Sequence, residues 1–123
     1  MSAAWPTEIR LKQAEKLLEI AFDDGATFRF PAEYLRVESP SAEVQGHGPG
    51  QKQLVANRAQ VGIVGVEPVG NYAIRIVFDD LHDTGIYSWT YLYELGRQQE
   101  KRWAEYLVAL EAQGLSREPK RKT

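Results

Sequence analysis

The sequence predicts an α+β domain: a small antiparallel or mixed β-sheet built from hairpins, followed by C-terminal helices. Three observations predict it. Apolar segments of period two recur between residues 7 and 78, an Asp-Gly pair separates two of them, and after Ser88 the apolar spacing changes to three and four.

Thr7-Glu8-Ile9-Arg10-Leu11 alternates as a short strand. The run Lys16–Phe22 enters Asp23-Asp24-Gly25 and leaves through Ala26-Thr27-Phe28-Arg29-Phe30, a hairpin whose glycine accepts positive φ. Phe28 and Phe30 share one face, and Arg29 takes the other. Pro31 opens a turn, and Tyr34-Leu35-Arg36-Val37 forms a further apolar patch. Residues 38–53 contain three glycines and two prolines, which predicts a long loop.

Val61–Val69 reads as a β segment broken by Pro68, and Gly70-Asn71 turns the chain into Tyr72–Phe78. Tyr72, Ile74, Ile76 and Phe78 fall on one face of that strand, with Ala73, Arg75 and Val77 on the other. Asp79–Asp83 is an acidic turn, and Thr84–Tyr87 returns as a short strand. Ser88 is placed to cap a helix that starts at Trp89, carries Trp89, Leu92 and Leu95 on one face, and stops at Gly96. A second helix is predicted over 98–113, with Trp103, Tyr106, Leu107 and Leu110 inward and Gly114 as its end.

The length of 123 residues suits one domain, 1–123, and the three Trp, six Tyr and four Phe are enough for a core. No apolar run approaches the roughly 18 residues of a membrane span. The N-terminus has no export signal, so a cytoplasmic address is expected. With no cysteine the chain has no disulfide, thiolate metal site or cysteine nucleophile. The net charge of −2 argues against nucleic acid as a partner. That charge is uneven: residues 1–96 hold 8 Lys/Arg against 13 Asp/Glu, and residues 97–123 hold 7 against 4. The basic excess lies in the tail, 115–123, which is read as a frayed terminus, with an acidic partner or RNA as its functional alternative.

Two histidines, His47 and His82, limit the chemistry. No Gly-x-Ser-x-Gly is present, and Gly46-His47-Gly48-Pro49-Gly50-Gln51-Lys52 lacks the Gly-Lys-Ser/Thr ending of a phosphate loop. Asp79, Asp80, His82 and Asp83 form the densest ligand-type cluster, with a solvated turn as the plainer reading. Tyr87, Trp89, Tyr91 and Tyr93 crowd one strand-to-helix corner. Trp89 and Tyr93 share a helical face, Tyr91 turns away, and any ring left exposed there would suit a protein contact.

Four stretches carry a resemblance: Pro6–Leu11, Tyr34–Gln51, Glu67–Tyr72 and His82–Leu92. Together they resemble the gamma-butyrobetaine hydroxylase-like N-terminal domain family, also called domain of unknown function 971, in its stand-alone bacterial form. The likeness covers about residues 6–96. It implies a small domain with a mixed β-sheet and no established activity of its own. The iron- and 2-oxoglutarate-dependent domain that follows in the hydroxylases is not expected within these 123 residues, and neither histidine begins a His-x-Asp motif. In the hydroxylases, three cysteines after a Leu-Arg pair and a later histidine hold a structural zinc. Laid onto Leu35-Arg36, that pattern puts Ser39, Ser41 and Val44 at the thiolate positions and His82 at the histidine. Hydroxyls and a valine do not replace thiolates, so no zinc and no other cofactor is expected.

A similar domain is attached to Mrp-type scaffold ATPases that carry iron–sulfur clusters. The resemblance therefore implies a non-catalytic accessory module that contacts a protein, in cofactor or iron–sulfur metabolism. The expected contact surfaces are the Tyr87–Tyr91 corner and the 38–53 loop, His47 included. The alternative is a metal or small-molecule site, or an enzyme, using His82 with Asp80 or Asp83.

Overall fold

The computed structural model describes residues 4–41, 54–83 and 85–118. Strands β1 (Pro6–Lys12), β2 (Leu17–Phe22) and β3 (Thr27–Pro31) form one antiparallel sheet in chain order. The β2–β3 turn is the predicted Asp23-Asp24-Gly25, with Gly25 at φ +90° and Asp24 Oδ1 accepting the Ala26 N–H at 2.9 Å. Leu18, Ile20, Phe22 and Phe30 are buried on one face. The other face carries the cross-strand row Arg10–Glu19–Arg29, a solvated charge ladder of small energetic weight.

Helix α1 (Ala32–Val37) follows β3 directly, and all six of its residues are buried. The sequence showed only an apolar patch here. A helix of under two turns is too short for a 3.6-residue period to emerge, and Glu33 and Arg36 interrupt the apolar run.

Strands β4 (Ile63–Val69), β5 (Ala73–Phe78) and β6 (Ile86–Ser88) form a second antiparallel sheet in chain order. Pro68 does not break β4; it pairs with Ile74, and it is tolerated because β4 is an edge strand. Ile74, Ile76 and Phe78 are buried as expected. Tyr72, expected beside them, falls in the preceding turn and is 55% exposed. Gln13 Nε2 bridges the sheets by donating to Val64 O at 2.9 Å.

Ser88 caps α2 (Trp89–Arg97) by accepting the Tyr91 N–H at 3.1 Å, as its position predicted. Gly96 does not stop this helix. A Cβ there would lie 2.3 Å from Phe28 Cγ, so the glycine allows helix and β3 to approach. Helix α3 (Gln99–Ala112) matches the predicted span closely, and Gly114, at φ +67°, follows it. Tyr106 and Leu110 are buried, but Leu107, expected with them, is 40% exposed because α3 buries a narrower stripe.

One buried cluster joins residues of both sheets, α1 and α2. A smaller one gathers Val37, Tyr106 and Leu110, and Trp103 packs against both. The residues 115–118 are not frayed, which corrects that part of the tail reading. Asn57 N–H donates to Ser116 O and Ala59 N–H to Arg117 O, both at 2.9 Å. Residues 119–123 lie outside the described residues.

Gly96→Ala is expected to destabilise the protein by about 1–3 kcal/mol through overpacking on Phe28. Gly65→Ala, with nothing within 4 Å of its Cβ, is expected to stay within about 0.5 kcal/mol. Urea denaturation of both variants checks the contrast.

Candidate functional site

The acidic turn singled out in the sequence closes β5, and within it Asp80 and His82 are built inward while Asp79 and Leu81 are exposed. Phe78 N–H donates to His82 O at 3.0 Å and Leu81 N–H to Phe78 O at 3.2 Å. Asp80 Oδ2 accepts from Arg36 Nε at 2.8 Å and from Arg58 Nε at 2.7 Å, while Oδ1 accepts the His82 N–H at 3.1 Å. Burial pushes the Asp80 carboxyl up. The His82 amide and the two guanidiniums outweigh it and hold the group below the usual carboxylate range. Arg36 Nη1 is buried with no hydrogen-bond partner among the described residues.

His82 is buried, and its Nε2 stands 2.9 Å from Ser39 Oγ. Gly85 makes room for this pair, since a Cβ there would lie 2.6 Å from Ser39 Oγ. Asp83 does not join the other two; its charge acts on Arg75, which Glu67 holds first and more strongly. Among the described residues no group of three His, Cys, Asp or Glu is placed to hold a metal. The zinc pattern implied by the resemblance does not fit either. Ser39 and Ser41 offer buried neutral hydroxyls, and one of them already engages the His82 nitrogen. Val44, His47 and the Gly-rich stretch lie outside the described residues.

The aromatic corner is largely interior. Tyr87 is fully buried and donates to Leu35 O at 2.6 Å, so it offers no contact surface. Tyr91 turns away from the face of Trp89 and Tyr93 but toward the interior: it donates to Glu38 O at 2.5 Å, and burial followed by the Glu38 charge pushes its hydroxyl up to about 12. Tyr93 packs on Phe22 and Phe28 and donates to Asp24. Trp89 is half-buried, its indole N–H donating to Asn71 O at 2.9 Å beside the exposed Tyr72.

One residue of this turn was passed over in the sequence. Leu81 is 90% exposed and adopts φ +73°, the left-handed region that leucine disfavours. The available signal was a leucine set in an acidic turn, where glycine or asparagine would serve the backbone better. A second missed feature is the pair Glu33–Arg117, which spans α1 and the tail with two bonds of 2.8 and 2.9 Å.

The fold and this inward-built turn define a small α+β domain whose ionisable residues knit its own backbone together. The chain belongs to the gamma-butyrobetaine hydroxylase-like, N-terminal family, whose model it matches over residues 9–93. It is similar to two proteins of known NMR solution structure. One is 44% identical with a TM-score of 0.85, covering 99% of this chain and 96% of that one. The other is 47% identical with a TM-score of 0.82, covering 99% and 91%. It is also similar to a protein of unknown function of the DUF971 family from Acidithiobacillus ferrooxidans ATCC 23270, with a crystal structure at 1.93 Å. That protein is 40% identical with a TM-score of 0.63, over 74% of this chain and 91% of its own. Comparison with curated proteins gives no match. Among the described residues no helix is long and apolar enough to cross a membrane.

Because the Asp80 carboxyl is depressed in the folded state, its contribution is present above the ordinary carboxylate range and is lost as pH falls through the folded value. Asp80→Asn is therefore expected to cost roughly 3 kcal/mol at pH 7, by leaving two arginines without their anion. At pH 3 the gap between native and variant should narrow, which urea titrations at the two pH values check.

Proposed function

We propose that this protein is a cytoplasmic, non-catalytic accessory module that docks on a partner protein, with Leu81 as the principal anchor. The observation that carries this reading is the conformation and exposure of Leu81. A left-handed leucine costs on the order of 1–2 kcal/mol, and its side chain recovers none of that by burial. A strained backbone position on a well-anchored turn is a reason to look for a function there. Here the anchoring is specific: Asp80 and His82, on either side of Leu81, are fixed by Arg36, Arg58 and Ser39.

The non-catalytic part of the reading is supported by what the ionisable groups do. Asp80 is shared between two guanidiniums, and the hydroxyls of Tyr34, Tyr87, Tyr91 and Tyr106 all donate to backbone carbonyls. Tyr72 and Trp89, at the opposite end of β5, supply the surface that remains of the aromatic corner. The setting expected from the resemblance, cofactor or iron–sulfur metabolism, would be decided by the partner's identity.

The experiment separates binding from folding. Leu81→Gly should keep or raise stability, by up to about 1 kcal/mol, because glycine relieves the positive φ. It should also abolish stoichiometric capture of a partner from the protein's own cell lysate. Capture that survives Leu81→Gly, or a variant that is markedly less stable, would overturn the anchor role.

A further inference from the structure

A cleft of about 610 Å³ lies between α1, the α2–α3 junction and the C-terminal segment. Pro31, Tyr34 and Trp103 give it apolar walls, and Glu33 and Glu100 set two carboxylates against the guanidiniums of Arg97 and Arg117. At one end Arg117 donates through Nε and Nη2 to the two Glu33 oxygens at 2.9 and 2.8 Å. The same guanidinium carbon lies 5.3 Å from the Trp103 ring centroid. A carboxylate fork at one edge and an indole face against the plane are what a guanidinium requires.

The two partners differ in how they are held. The Glu33 side chain is 8% exposed, whereas that of Arg117 is 41% exposed. The backbone around Arg117 is fixed independently by Asn57 and Ala59, so exchange of the side chain leaves that backbone pairing intact. Glu33, by contrast, is a buried carboxylate that is costly to leave without a cation. Exchange of one guanidinium for another keeps it paired throughout.

The geometry points to a guanidinium-recognition site on Glu33 and Trp103, in which Arg117 is the resident occupant and an arginine of an extended partner segment exchanges for it. The open volume beside Arg117 admits the backbone that such a segment brings. An ammonium does not match the planar fork, so the site selects arginine over lysine. This site is separate from the Leu81 turn and does not depend on it.

The test uses the full chain and a fluorescein-labelled Gly-Gly-Arg-Gly-Gly peptide, with lysine and citrulline versions as controls. Arg117→Gln removes the internal competitor and should bind the arginine peptide about tenfold more tightly than the native protein. Glu33→Gln should abolish binding, and both control peptides should bind at least about tenfold more weakly. Equal affinity of native and Arg117→Gln proteins, or of arginine and lysine peptides, would overturn the proposal. Should Arg117→Gln fail to fold, the native protein is titrated with N-acetyl-arginine methylamide while the Trp103 indole N–H is followed by NMR. A saturable shift of that resonance supports the site, and its absence overturns it.

Discussion

A six-residue helix whose every residue is buried is the constraint around which this protein is arranged. Helix α1 brings Glu33, Tyr34 and Arg36 into the interior, with Glu38 at its end. Buried charges and hydroxyls are destabilising unless each finds a partner. Four separate parts of the chain supply them. The tail gives Arg117 to Glu33, the β5–β6 turn gives Asp80 to Arg36, α2 gives the Leu95 carbonyl to Tyr34, and α3 gives Arg102 to Glu38. The carbonyls near its C-terminus are met in the same way: Tyr87 donates to Leu35 O and Tyr91 to Glu38 O.

This arrangement explains why a cluster that resembled a functional site is an internal brace. Asp80, Tyr87 and Tyr91 drew notice as chemistry-bearing residues, and each of them satisfies α1 or the residue that follows it. The corresponding gain is rigidity where the chain is exposed. Leu81 protrudes from a turn whose two neighbouring residues are fixed, one by two arginines and the other by a serine. A strained turn persists only when its surroundings over-determine it, and this turn meets that condition.

The strands and the long helices were legible in the sequence because their periods run long enough to register. The β2–β3 hairpin followed from Asp-Gly, the α2 cap from Ser88, and the α3 span from Trp103, Tyr106 and Leu110. The brace was not legible, because α1 is too short to show a period and its partners lie 44 to 84 positions away. Pro68 and Gly96 were misjudged for a related reason. Local rules make them breakers, but an open sheet edge tolerates the first and the ring of Phe28 requires the second. The resemblance named the family correctly from the order of its rare combinations, and it carried no information on how the hydroxyls at the thiolate positions would be used.

The most direct test of the brace is a double-mutant cycle on Arg36→Met and Asp80→Asn, read by urea denaturation at neutral pH. If Asp80 serves α1, the two losses should be coupled by about 1–3 kcal/mol, the double variant being far less destabilised than the sum. Losses that add to within about 0.5 kcal/mol would mean that the two residues act independently, and would contradict the account.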